Sequence, residues 1–392
     1  MAQSSQPLAE PPARPEDLIP EPPGTTDPQP QKQVQPDKPW FKRHWKSVVI
    51  GFVVVVLVGA GAAAAWQFTH QSKPAAAVKP SSTPTTPTPA PSPVTKASPL
   101  TGLQVAPDVA GQPIVGVIIE NHTDARPQSG LGDAGVVYEA NAEGGITRFE
   151  AFYLDKIPAT LGPVRSVRTY FVDWALEFNA PLAHAGGNAD ALDEIGPLHM
   201  KDMNALSFAA DGFYRTTDRY APHNLYTNQD KLTALTKRLG FWVPSSFTPS
   251  PRKADTPTQN APHPAIHIDY SYSGYQVDYK YDPSTNDYAR FLAGAPHIDR
   301  NTGAQIHVKN IVVEMMPTSY GTTRIGEQTV IMQTVGSGQG WVFRDGQAIP
   351  ITWSKSSRTD RTRLIGADGK DVPLDAGNTW YSIVPQGKNV SF

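Results

Sequence analysis

The chain of 392 residues contains no cysteine. Disulfides, thiolate catalysis, Cys-ligated zinc and iron–sulfur clusters are thereby excluded. A lipid-modified N-terminal cysteine is excluded with them. Net charge is also nearly absent, at −2, so no global field selects nucleic acid or a bare membrane surface, and no nucleic-acid partner is expected. His122, His184, His199 and His223 show no HxH or HxxxH spacing among themselves, so neither a metal nor a cofactor is expected from their pattern. Ser129 and Ser166 stand outside any G-x-S-x-G context, which leaves a serine triad without its usual turn. No internal repeat is evident.

Large apolar residues are scarce across residues 1–39, which are rich in Pro, Gln, Glu and Asp. Such a segment cannot bury enough surface to offset its ordering entropy, so a disordered tail is expected. Charge then disappears altogether from Ser47 to Ala65. These 19 residues match a bilayer core of about 30 Å at a rise of about 1.5 Å per residue. Trp40, Trp45 and Trp66 flank the run as interfacial anchors, so residues 40–66 read as one transmembrane helix with its borders. Lys38, Lys42, Arg43 and Lys46 precede it, against Lys73 and Lys79 after it. That asymmetry places the N-terminus in the cytoplasm and the remainder outside a cell membrane crossed once. A cleaved signal peptide is the rival reading, because Ala60–Ala65 offers small-residue cleavage sites; the long preceding tail argues against it. Residues 67–98 are Pro- and Thr-rich, an extended spacer.

From about Pro99 the chain acquires regular patterning. An α/β domain, a mixed sheet with flanking helices, is expected over 99–244, a linker over 245–263, and a smaller β-rich domain over 264–392. Ile114–Ile119 reads as a buried strand. Val136–Ala140 and Thr147–Leu154 read as two more, turned by Glu143-Gly144-Gly145. Phe171, Trp174, Ala175 and Phe178 fall at helical spacing within Tyr170–Phe178. A short strand is expected at Leu182–Ala185. Asn188 caps a second helix running to Ile195, and Thr227 with Asp230 resembles a capping box for a third that ends near Gly240. In the last third, Trp341–Arg344 and Ala348–Trp353 flank Asp345-Gly346, a hairpin signal. The aromatics there, Trp341, Phe343, Trp353, Trp380 and Tyr381, read as β-core rather than as a sugar platform.

The first domain repeatedly ends an apolar strand in polar or glycine residues. Glu120, Asn121 and His122 follow the apolar run Ile114–Ile119, Glu139, Asn141 and Glu143 follow Val136–Tyr138, and His184, Gly186 and Gly187 follow Pro181–Ala183. In open α/β sheets, ligands occupy the crevice beyond such strand ends. Arg126, Arg148, Arg165 and Arg168 lie among them. Arg165 and Arg168 stand just before a helix start, where free N–H groups and the positive dipole end favour an anion. Arginine also grips phosphate or carboxylate through two parallel hydrogen bonds. The alternative is internal pairing with the nearby acids. For acid–base work the candidates are Glu120, Glu143, His122 and His184. His223 and Asn224, in Ala221-Pro222-His223-Asn224, complete the expected binding set. Gly186-Gly187 could cradle a phosphate or simply make a tight turn.

Several segments resemble the YerB-like bacterial lipoprotein family. They are PLTG (Pro99–Gly102), ENHTDARPQSGL (Glu120–Leu131), VVYEANAEGGITRF (Val136–Phe149), GPVRSVR (Gly162–Arg168), HAGG (His184–Gly187) and APHNLY (Ala221–Tyr226). PHIDRNTGAQI (Pro296–Ile306), VGSGQGWVFRDGQ (Val335–Gln347) and GNTWYSIVP (Gly377–Pro385) carry the likeness into the last third. The resemblance implies an α/β domain followed by a β-rich one and an envelope location; it brings no activity and no catalytic residues. That family is anchored through a lipidated cysteine, which this chain lacks, so Ser47–Ala65 would replace it. The expectation is therefore an extracytoplasmic protein that binds an anionic envelope glycan or cell-wall fragment at the arginines. The alternative is an enzyme on the same ligands, with an order of elements loosely similar to LytR-CpsA-Psr glycopolymer phosphotransferases.

Overall fold

Runs of Ile, Val and aromatic residues that lack a polar alternate face must be buried on both sides, and the central sheet shows how. The computed structural model describes residues 94–392. The expected tail, the span Ser47–Ala65 and nearly all of the spacer lie outside the described residues. No helix among the described residues is long and apolar enough to cross a membrane.

Thirteen strands and four helices position everything discussed below. In chain order they are β1 Val115–Glu120, β2 Val136–Asn141, β3 Thr147–Tyr153, α1 Thr169–Glu177, β4 Leu182–His184, α2 Ala189–Ile195, β5 Asp202–Asn204, α3 Ala205–Gly212 and α4 Gln229–Arg238. There follow β6 Ala265–Asp269, β7 Gln276–Asp282, β8 Asp287–Leu292, β9 Asn310–Met316, β10 Gly336–Arg344, β11 Gln347–Lys355, β12 Arg363–Ile365 and β13 Thr379–Pro385. Ten of the strands form one mixed sheet in the order β12-β11-β10-β9-β13-β2-β3-β1-β4-β5. The seam falls between β13 and β2, which pair in parallel from Thr379↔Val136 to Ile383↔Ala140. The early and late portions of the chain thus contribute five strands each to a single sheet. The division between them is a division of sequence, with hydrogen bonds running across it.

One face of the sheet packs on α1 and α2, through Tyr138, Phe152, Tyr170, Trp174, Phe178 and Tyr381. The other face carries α3, α4 and a second sheet built on β6, β7 and β8, through Phe149, Ala151, Leu232, Leu235, Tyr279 and Trp380. Coverage of both faces explains why β1, β2 and β3 are buried at every position. At Gly116 a Cβ would come within 2.9 Å of Leu182 Cδ1 and Phe152 Cε1, so only glycine lets β1 sit between β3 and β4.

β1–β4, β11, α1, α2 and α4 lie within two residues of where the patterning put them, while β5–β8 and α3 carried no expectation. The hairpin turns at Asp345 (φ +54°) and Gly346 (φ +73°), as Asp-Gly predicts. Four of the five late aromatics are core: Phe343, Trp353, Trp380 and Tyr381 are buried, while Trp341 is half-buried against them. Three readings need correction. Asn228, not Thr227, caps α4 by accepting the Lys231 N–H, while the Thr227 hydroxyl donates to the Gly212 carbonyl. The expected linker 245–263 is partly woven in: Arg252–Lys253 pairs in parallel with Leu374–Asp375, and Lys253 Nζ reaches Asp345 and Asp375, each at 2.7 Å. The spacer ends early, because Lys96–Ala97 pairs with Gln104–Val105.

Candidate functional site

The C-terminal ends of β1, β2 and β4 and the start of β3 share one edge of the large sheet. This follows from pairing: β1 and β4 are parallel, and β3 runs antiparallel to both β1 and β2. Glu120 and Arg148 are register partners at that edge. The segment Gly162–Arg168 then crosses it. Glu120 N–H donates to Pro163 O, Arg165 N–H to Ile118 O, and Ala185 N–H to Arg165 O. A second loop follows, because Val164 N–H donates to Leu225 O and Thr227 N–H to Leu161 O. These backbone bonds bring His223 over Glu120.

Three of the four arginines meet here. Arg165 Nε donates to Glu120 Oε1 at 2.9 Å. Arg168 takes both oxygens of Glu143, through Nε at 2.7 Å and Nη2 at 2.5 Å. Burial alone would raise the Glu143 carboxyl, but the Arg168 hydrogen bond and charge outweigh it and hold the group below its usual range. Arg148 is different. It is buried, its guanidinium donates to one acceptor, Ser166 O at 2.6 Å, and its Nε has no partner. Among the described residues no carboxylate lies within ion-pair distance of it. Burial, and then the charges of Arg168 and Arg165 beside it, push its pKa down to about 10. The cluster therefore holds three guanidinium groups against two carboxylates, and Arg165 keeps 29% of its side chain exposed.

Arg126 does not join them. It donates to Asn121 Oδ1 and O and to Gly274 O, and its guanidinium lies over the Tyr275 ring at 4.8 Å. Glu139 turns inward, where it accepts from Thr147 and pairs with fully buried Arg290, a residue the sequence reading passed over. Asn121 belongs to the same interior network through Thr147 and Gln128. His184 uses both ring nitrogens, on Gly186 O and Asp202, each at 2.8 Å. Gly186 makes a turn at φ +64°, and its N–H donates to Asn204. A Cβ on Gly187 would sit 2.9 Å from Val167. Asn224 Oδ1 accepts from Arg215, and its amide donates to Thr216 O and Arg219 O. These residues hold the edge together through bonds to one another and to the backbone. A cleft of about 500 Å³ opens at the start of α1, but its charged lining is Asp173, Asp190 and Glu194 against Arg358. The helix N-terminus thus meets acids as well as the arginines before it.

Missed by the sequence reading were Asp124 and Arg219. Asp124 stands between His122 and His223, whose rings stack at 4.8 Å between centroids. Arg219 ties the two loops together by donating to Ala125 O at 2.7 Å and Pro127 O at 2.8 Å. A hundred residues separate the two histidines, so no local spacing could have announced the pair.

Comparison with known proteins agrees on both parts of the chain. The model of the family described as "Protein of unknown function (DUF3048) N-terminal domain" matches residues 100–242, and that of its C-terminal domain matches residues 266–381. "Putative lipoprotein YerB" of Bacillus subtilis (strain 168) is 32% identical over 296 residues, covering 74% of this chain and 86% of that protein. The crystal structure of the YerB protein from Bacillus subtilis superposes with a TM-score of 0.68 at 31% identity, over 76% of this chain and all of that one.

Proposed function

Since this chain belongs to the DUF3048 family of YerB-like proteins, we propose that it is an extracytoplasmic cell-envelope protein that binds an anionic group of a glycan or cell-wall fragment at the Arg148–Arg165–Arg168 rim. The YerB relative carries a lipoprotein's name. In this chain, without cysteine, Ser47–Ala65 takes the anchoring role as a single membrane span. Its N-terminus lies in the cytoplasm and the folded portion outside.

The observation that carries the reading is Arg148. A buried guanidinium with one neutral acceptor, beside two further arginines, costs free energy that an unpaired charge always costs. An incoming phosphodiester or carboxylate oxygen would supply the missing counter-charge through charge-assisted hydrogen bonds. Binding is favoured over acid–base catalysis because three of the four expected acids and bases are engaged by charged or buried partners. Glu120 is shared by Arg165 and His223, Glu143 is gripped by Arg168, and both nitrogens of His184 are bonded.

The test is calorimetric binding of a phosphodiester-linked glycan to the full chain, against an uncharged glycan of the same sugars. Only the charged polymer should bind, with Arg148→Met and Arg165→Ala each weakening it at least tenfold. Arg324→Ala, which removes an exposed arginine paired with Asp193 elsewhere, should leave it unchanged. Equal binding of the uncharged glycan, or indifference to both rim variants, would overturn the proposal.

A further inference from the structure

Beside the arginine rim, on the far side of Glu120, stand three groups that the rim does not use. We infer that His122, Asp124 and His223 form a binding site for a divalent transition-metal cation, with zinc the first choice. The inference does not depend on the anion reading.

One ligand atom from each of the three lies within 4.8 Å of the others. His122 Nδ1 is 3.6 Å from Asp124 Oδ2, and His223 Nε2 is 3.9 Å from the same oxygen. Around a tetrahedral zinc with ligand distances of about 2.0–2.1 Å, neighbouring ligand atoms stand roughly 3.4 Å apart. The two gaps to Asp124 Oδ2 need to close by only a few tenths of an ångström, and the widest separation in the trio, up to 4.8 Å, by about 1.4 Å. Two imidazoles and a carboxylate are the donors that zinc and its neighbours in the first transition row accept, and three protein ligands leave a fourth position for water.

The surroundings are arranged as they are around bound metals. His223 Nδ1 donates to Glu120 Oε2 at 3.0 Å, which leaves the Nε2 lone pair on the side of Asp124. A histidine whose other ring nitrogen is held by a carboxylate is the usual companion of a metal ion. Glu120 is itself buried and fixed by Arg165. His122 Nδ1 accepts the Asp124 N–H at 3.2 Å, a bond long enough for a cation to replace. Arg219 braces the loop carrying His122 and Asp124 against the loop carrying His223. Asp124 and His122 stay largely accessible, with 68% and 36% of their side chains exposed, so the cation has an entry path.

The experiment is titration of metal-stripped full chain with zinc by calorimetry and with cobalt(II) by visible absorption, in buffer without phosphate or glycan. One zinc per chain should bind with micromolar or tighter affinity, and cobalt should give the intense visible bands of low coordination number. His122→Ala and Asp124→Asn should each weaken zinc at least tenfold while circular dichroism confirms an unchanged fold. Glu120→Gln, a change in positioning only, should weaken zinc about tenfold and shift the cobalt bands, which a loss of stability alone would not do. His307→Gln, at an exposed histidine bonded to Asp287 elsewhere, should change nothing. Arg148→Met should abolish anion binding yet leave zinc uptake intact, so the two sites fail separately. Absence of saturable uptake, or uptake unchanged in both His122→Ala and Asp124→Asn, would overturn the inference.

Discussion

Two charged clusters in this molecule use the same residue types to opposite ends. At the sheet edge, Arg148, Arg165 and Arg168 outnumber Glu120 and Glu143. In the interior beneath α1, Glu177 gathers Lys355 and Arg361, each at 2.9 Å, together with Thr362 and Tyr138. Two further buried carboxyls, Glu150 and Glu314, stand near it with no hydrogen-bond partner on either oxygen. Burial, then the Glu177 charge, pushes Glu314 up to about 8 and Glu150 well above the usual carboxylate range. A surplus of carboxyls can thus discharge itself by holding a proton. A surplus arginine cannot do so near neutral pH, even with its pKa at about 10. The interior cluster can be closed and self-sufficient, whereas the rim keeps a positive charge that only something from outside can match. Excess charge of the kind that titration cannot remove, not ion pairing as such, is what the proposed anion site rests on.

The largest test of this contrast removes one acid from each side. Glu177→Ala strands Lys355 and Arg361 in the core and should cost about 3–5 kcal/mol in urea unfolding. Glu143→Ala leaves Arg168 with the Val167 carbonyl as its remaining acceptor, beside a partly exposed gap, and should cost less, about 1–3 kcal/mol. Equal losses would break the comparison. Next comes pH. The folded-state pKa of Glu314 lies above its unfolded value, so its stabilising contribution is full below about pH 4.5 and is lost as pH rises toward about 8. At ~1.4 kcal/mol per unit, Glu314→Gln should spare the protein at least about 2 kcal/mol of that decline between pH 5 and 8. Parallel stability–pH curves for wild type and variant would show that Glu314 does not hold its proton. A smaller effect is expected at Arg148. Replacing it by Met should leave stability in chloride unchanged or about 1 kcal/mol higher. Phosphate should raise the melting temperature of the wild type and leave that of this variant unchanged. The smallest change sharpens the last one: Asn228→Ala removes the cap of α4 and should cost about 1 kcal/mol, with the phosphate effect retained. Loss of that effect here would mean that stability, not the guanidinium, sets it.

Much of the first domain was legible because its signals are local. Burial on both faces writes itself into β1 as an Ile/Val run interrupted only by Gly116, and Phe171, Trp174 and Ala175 mark the inner side of α1 without help from distant residues. The β5–α3 segment was not legible: Met203, Ala205 and Phe213 are too sparse to set a period, and their burial comes from α4 and the second sheet. The same limit applied to the site. Glu120, Arg165 and Arg168 stand out as charges set into apolar sequence. Arg290, lying inside a strand that alternates normally, gave no sign that it would be buried against Glu139.

What the chain's sequence settled alone were the properties that depend on composition and short-range periodicity. These are the chemistry that an absence of cysteine forbids, the position of β1–β4, α1, α2 and α4, the hairpin at Asp345-Gly346, and an edge rich in arginine. Tertiary structure alone decided which charges cancel. Glu139 and Glu120 each follow a buried run, yet one points into the core toward Arg290 and the other to the rim toward Arg165. Strand register and loop crossings, set by packing over more than a hundred residues, choose between them. The same long-range pairing laid His223 against His122 and Asp124, since a coordination sphere depends on distance through space and leaves no fixed interval along the chain.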